Sequence, residues 1–178
     1  DRRHTIVITG NHDTNLNNTS RLDALTPIIN NLNHPKLHYL KDSGVYKIGD
    51  THFTVFSIFD PACDFIKANT FDADTKIALF HGPVQSSKTD IGYEVTGEEY
   101  TSDIFDGYDL SLLGDIHKRQ YVDKAKTICY PGSLIQQNFG EAFKNHGFDI
   151  WDGPSRTPVY IHILNKYGFY TIDVKNAV

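Results

Sequence analysis

Leu110-Ser111-Leu112-Leu113-Gly114-Asp115-Ile116-His117 passes from apolar to polar within eight residues. The run Leu110–Leu113 is short and apolar, as a buried strand is, and Gly114 breaks it into a turn. Asp115 and His117 follow on that turn, two residues apart. A carboxylate and an imidazole at this spacing after a strand can serve two neighbouring metal ions from one loop. Either residue alone reads as an ordinary turn carboxylate or core histidine. Their company changes the reading.

The same grammar recurs upstream. The apolar run Thr5–Thr9 ends in Gly10-Asn11-His12-Asp13, and Ile77–Phe80 ends in His81-Gly82. Strand ends that present Asn, His and Asp at one edge of a sheet are how an α/β fold gathers metal ligands. The carboxamide oxygen of Asn11 is a neutral hard donor suited to Mn²⁺, Mg²⁺ or Zn²⁺ sites that also hold carboxylates. His12 can then reach a substrate rather than a metal, with Asp13 fixing its tautomer. Downstream, Tyr130-Pro131-Gly132-Ser133 completes an ordered set of four motifs. Asn11, His81, Asp115 and His117 are the candidate metal ligands, and His12 and Asp13 the candidate catalytic pair.

Around these motifs the pattern is that of a strand-rich chain. Leu22, Leu25, Ile28, Ile29 and Leu32 recur at helical spacing, with Thr19 or Ser20 as the cap and Pro27 delaying or kinking the start. Val45–Ile48 and Phe53–Ile58 alternate about Gly49-Asp50 as a hairpin. Residues 59–74 read as a loop with a short helix, Val84–Gly97 as a long polar loop, and Tyr100–Phe105 as a short helix. Beyond Gly114 come short strands at 120–122, 127–130, 147–151, 159–164 and 169–174. Helices early and strands alone later predict an α/β fold, a two-sheet β-sandwich flanked by helices, in a single domain over residues 1–178.

Other features have plainer readings. Asp50-Thr51-His52 sits at the hairpin turn and reads as a surface turn. His34, His38 and His146 read as solvated side chains. Cys63 and Cys129 lie in or beside apolar stretches without CxxC spacing, which predicts buried, reduced thiols in a cytosolic protein. Lys118-Arg119 forms a small basic patch at the site rim, able to contact a phosphate backbone. Tyr46, Tyr93 and Tyr100 could stack on bases, or simply pack. No apolar run has the length needed to span a bilayer. The net charge of −5 opposes a nucleic-acid substrate unless basic residues are concentrated locally. Bound divalent metal would offset part of it. Met is absent, even at position 1, so the chain reads as a piece of something longer.

The ordered words resemble the calcineurin-like metallophosphoesterases. Gly114-Asp115-Ile116-His117-Lys118-Arg119-Gln120, Tyr130-Pro131-Gly132-Ser133, Phe139-Gly140-Glu141 and Gly147-Phe148 resemble, more narrowly, that family's DNA double-strand-break repair nucleases. These include the bacterial SbcD subunits and the recombination endonuclease subunit of T-even phages. The resemblance implies a four-layer fold and a two-metal, Mn²⁺-favouring phosphodiesterase acting as exonuclease or endonuclease on DNA in repair and recombination. It also implies an SMC-like ATPase partner, a homodimer, and residence in the cytoplasm, that of the host if the protein is phage-encoded. Within that frame Asn11 and His81 would ligate the second metal and His117 the first, with Asp115 standing where the family usually has His. His12 would protonate the leaving oxygen, oriented by Asp13. The family's Asp-x-His and Gly-Asp-x-x-Asp motifs precede the Asn-His word, and the chain has no room for them. It is therefore expected to be truncated at its N-terminus, to bind metal weakly and to be nearly inactive by itself.

Two rival readings remain open. One is a metallophosphoesterase acting on a small phosphodiester or a phosphoprotein, which the acidic charge favours. The other is a non-catalytic interaction domain that keeps the fold. Turnover on a chromogenic diester against linear duplex tests the first, and elemental analysis for Mn or Zn the second.

Overall fold

A mixed six-stranded sheet organises the computed structural model, which describes residues 3–97, 99–153 and 155–172. In chain order the elements are β1 (Thr5–Val7), α1 (Leu25–Leu32), β2 (Leu37–Tyr39), β3 (Gly44–Ile48), β4 (Thr51–Phe56), β5 (Lys76–His81), β6 (Leu110–Gly114), β7 (Gln120–Tyr121), β8 (Ile128–Tyr130), β9 (Gly147–Asp152) and β10 (Thr157–His162). Strands β3-β4-β5-β6-β8-β7 form the main sheet, with β4, β5, β6 and β8 mutually parallel and an antiparallel strand at each edge. β1 and β2 form a separate parallel pair, and β9 and β10 a separate antiparallel one.

The expected two-sheet sandwich flanked by helices is therefore wrong, and with it the four-layer architecture. Among the described residues there are three sheets, and α1, eight residues long, is the only α-helix. Parallel strands need long crossovers, which are usually helical. Here the crossovers over 57–75 and 82–109 carry no sustained 3.6-residue apolar period, so they run as loops with short 3-10 segments at Ala62–Asp64, Ala68–Thr70 and Ser102–Phe105. These loops still cover one face of the sheet. Phe65 and Phe105 of these loops pack onto Phe56 and Phe80 of the sheet, Phe56 and Phe65 stacking with ring centroids 4.5 Å apart. The opposite face carries Phe53, Ile77, Leu79 and Leu112 half-buried.

Several local expectations change for identifiable reasons. α1 starts late, at Leu25, with Pro27 in its first turn, where a missing N–H costs nothing. Its first amides are met by Asp23, not Thr19 or Ser20: Leu25 N–H and Thr26 N–H donate to Asp23 Oδ1 at 3.0 and 2.7 Å. Asp23 is fully buried and also receives Lys41 Nζ at 2.9 Å, Tyr39 OH at 2.9 Å and Thr26 Oγ1 at 2.7 Å. Burial raises its carboxyl pKa, but these donors outweigh that and hold it well below the usual carboxylate range. Tyr39 OH also bonds Thr9 Oγ1 at 2.7 Å, so the network reaches the foot of the Gly10 turn. His146 is buried rather than solvated, with Nε2 at 2.7 Å from the Ala142 carbonyl. Cys129 is buried as expected but Cys63 is exposed. Of the strand expected over 169–174, residues 169–172 form none, and 173–174 lie outside the described residues. Among the described residues no helix is long and apolar enough to cross a membrane.

Candidate functional site

Neighbouring parallel strands bring their C-terminal ends to one edge, and here the register puts His81 beside Gly114. Asp115 follows directly. The Gly10-Asn11 turn after β1 arrives over the same edge. Asn11 Oδ1 lies 3.2 Å from His81 Nε2, His81 Nε2 lies 3.7 Å from Asp115 Oδ1, and Asn11 Nδ2 donates to Asp115 Oδ1 at 3.2 Å. Three side chains from positions as far as 104 residues apart thus meet within one small space.

Two glycines make this meeting possible. A Cβ on Gly10 would lie 2.9 Å from His81 Cε1, and one on Gly114 would lie 2.8 Å from His81 Nδ1. The imidazole is gripped between two backbones that tolerate no side chain. Asp115 itself has φ of +91°, a conformation that L residues rarely adopt and that concentrates at functional positions. Burial lowers the His81 pKa, and the Asp115 and Asp13 carboxylates oppose that only in part, which favours the neutral ring; facing two acceptor oxygens, Nε2 donates to Asn11 Oδ1 and would have to give up that proton to ligate an ion.

The Tyr130-Pro131-Gly132-Ser133 word braces both sides of the site. Tyr130 is fully buried, and its hydroxyl donates to the Gly82 carbonyl at 2.6 Å while accepting from Val84 N–H at 2.9 Å, which pins the turn after His81. Gly132, at φ +83°, lies so close that a Cβ there would sit 2.8 Å from the His117 carbonyl, and Ser133 N–H donates to that same carbonyl at 3.0 Å.

His117 does not join the trio. It lies across Asp115, in a neighbouring cleft of about 210 Å³ also lined by Lys118, Asn138 and Glu141, while Asn11 and His81 line a second cleft of about 280 Å³. Asp115 lines both. His117 and His12 remain close enough to disfavour a charge on His81. His12 is exposed, and Asp13 Oδ2 accepts from Gly10 N–H at 2.8 Å, closing the turn that aims Asn11. The basic patch divides: Lys118 lines the smaller cleft, whereas Arg119 turns inward to Asp149 at 2.7 Å and stacks over Tyr160. Of the candidate stacking residues, Tyr93 is exposed, and Tyr100 packs against Phe65 and Phe80.

Among the described residues no group of three or more His, Cys, Asp or Glu side chains is placed to hold a metal. The trio reaches three donors only through the Asn11 carboxamide. Ligands at about 2.1–2.3 Å from a divalent ion, at right angles to each other, stand about 3.0–3.3 Å apart. The trio's separations of 3.2 and 3.7 Å are close to that, and one carboxylate, one neutral imidazole and one amide oxygen suit Mn²⁺, Mg²⁺ or Zn²⁺. The donor types suit such an ion, whereas the geometry turns the Asn11 amide nitrogen rather than its oxygen toward Asp115.

No family model matches the chain. It is 42% identical over 180 residues to a protein of Acanthamoeba polyphaga mimivirus described as "Uncharacterized protein R555". The match covers 95% of this chain and 13% of that relative, so the chain spans a small part of the length of the protein it resembles.

Proposed function

We propose that this chain carries part of a divalent-metal phosphodiesterase centre of the metallophosphoesterase type, used by its parent protein to hydrolyse DNA in repair or recombination. The convergence of Asn11, His81 and Asp115 at the C-terminal edge of the parallel strands is the observation that supports it. A divalent ion bound there, Mn²⁺ by preference, would polarise the phosphodiester and lower the pKa of a bound water. The chain's own residues supply the rest. Asn11, His81 and Asp115 hold the ion, His117 offers a donor from the adjoining cleft toward a second, and exposed His12 is free to give a proton to the leaving oxygen. Asp13 aims the Asn11 turn. Lys118 is the cation available to a phosphate at the rim. The DNA substrate, the SMC-like ATPase partner, the homodimer and the cytoplasmic setting belong to the same reading, and a giant-virus relative agrees with a virus-encoded parent. The net charge of −5 favours a second reading, in which the substrate is a small phosphodiester.

The test is Mn²⁺-dependent cleavage of linear duplex DNA by the longest natural polypeptide that contains this segment, beside a chromogenic diester. We expect His81→Ala to lower turnover on duplex by about 10²-fold or more. Metal-loaded protein that cleaves only the small diester overturns the DNA assignment, and one that cleaves neither overturns the enzyme.

A further inference from the structure

We propose that Glu141 is the positioning residue of the smaller cleft: its carboxylate holds His117 as the Nδ1–H tautomer and so aims Nε2, with its lone pair, into the cleft beside Asp115. This rests on the phosphodiesterase reading for its purpose, but not for its geometry. His117 Nδ1 lies 2.7 Å from Glu141 Oε1, and a carboxylate can only accept there, so the proton sits on Nδ1. Glu141 is poorly suited to be a ligand itself. Its side chain is 7% exposed against 47% for His117, and both its oxygens are already engaged. Oε1 also accepts from Asn138 Nδ2 at 2.8 Å, and Oε2 accepts from Gln137 N–H at 2.8 Å.

The carboxylate is held in place without help from His117. Gln136, buried, donates from Nε2 to the Glu141 carbonyl at 3.0 Å and accepts from Phe169 N–H at 2.8 Å, while Phe139 packs edge-on against Phe169 with centroids 4.9 Å apart. A loop without regular structure is thereby stiffened around one acceptor. A histidine whose second nitrogen is oriented by a carboxylate is the common arrangement behind metal-ligating and proton-transferring imidazoles, and loss of such a partner typically costs 10–100-fold in metal affinity. Among the described residues, the His81–Asp115 contact is the longer of the two, at 3.7 Å.

The experiment is long-range ¹H–¹⁵N NMR of the imidazoles in metal-free protein, in mildly alkaline buffer, for wild type, Glu141→Gln and Glu141→Leu, with circular dichroism to verify folding and Mn²⁺ titration alongside. Wild type should show His117 protonated at Nδ1. Glu141→Gln keeps an acceptor oxygen and should keep that signature, and Glu141→Leu should lose it. Mn²⁺ affinity should fall about 10–100-fold in Glu141→Leu and clearly less in Glu141→Gln. Wild-type His117 protonated at Nε2, or a folded Glu141→Leu with an unchanged tautomer, overturns the proposal. If Glu141→Leu does not fold, the wild-type spectrum and the Gln variant decide it. A tautomer that responds as stated in a protein that binds no Mn²⁺ leaves Glu141 in its positioning role and removes the phosphodiesterase reading instead.

Discussion

The two clefts that meet at Asp115 are built by different means. On one side His81 stands at the end of β5, placed by strand register and gripped by the backbones of Gly10 and Gly114. On the other, His117 sits in a loop, placed by a side-chain bond to Glu141 and by the backing of Gly132 and Ser133. The first wall is rigid because strand pairing fixes the backbone at His81 and the Gly10 and Gly114 backbones flank its ring. The second depends on a few polar contacts, each of modest net worth. The contrast teaches that one site can be half scaffold and half loop, and that the two halves should fail differently.

The most damaging change should come from beneath the rigid wall. Asp23→Ala leaves Lys41, Tyr39 and two helix amides without their buried partner, and Tyr39 in turn supports Thr9 below the Gly10 turn. We expect a loss of about 3–5 kcal/mol in chemical denaturation, the range for breaking a buried ion pair from one side. The same carboxylate gives a pH signature. Its folded pKa is depressed, so its contribution is fully present above the ordinary carboxylate value of about 3.9 and is lost as pH falls through the lower folded value. Wild type should lose stability on acidification below that range, and Asp23→Ala should lose less.

Next is Gly114→Ala, whose added methyl group has three His81 ring atoms as its nearest neighbours, Nδ1 first at 2.8 Å. The imidazole must move, and Mn²⁺ affinity measured by calorimetry should fall about 10–100-fold while the melting temperature changes little. An unchanged affinity would mean that His81 is not held where the scaffold puts it. Smaller again is Gly132→Ala, at φ +83° with the His117 carbonyl in the way. Strain of about 1–3 kcal/mol is expected there, relieved by a shift of the loop. His117 NMR signals should move while those of His81 stay, and joint movement would erase the distinction between the two walls.

The rigid wall was also the legible one. β5 and β6 announced themselves as apolar runs ending in His81 and Gly114-Asp115, and the Gly49-Asp50 hairpin followed from its turn residues. Side chains at the ends of such runs must gather at one edge if the strands are parallel, so Asn11, His81 and Asp115 could be grouped before any coordinates. The loop wall was not legible. Glu141 finds His117 across 24 residues, and Tyr130 finds Gly82 across 48, through stretches with no period to read. Asp23 was hidden for a related reason: two capping candidates, Thr19 and Ser20, stood nearby, and only the tertiary contact with Lys41 and Tyr39 selects it. The layer architecture failed at the crossovers. An apolar parallel strand implies cover on its faces, and the sequence pattern does not say whether a helix or a loop provides it.

The central claim is that Asn11, His81 and Asp115 hold one divalent ion at the strand-end edge. A crystal of this chain grown with Mn²⁺ and measured for anomalous scattering tests it most directly. An anomalous peak is expected about 2.1–2.3 Å from Asn11 Oδ1, His81 Nε2 and an Asp115 carboxylate oxygen. A peak elsewhere on the chain, or Mn²⁺ absent from that edge at saturating concentration, would contradict it.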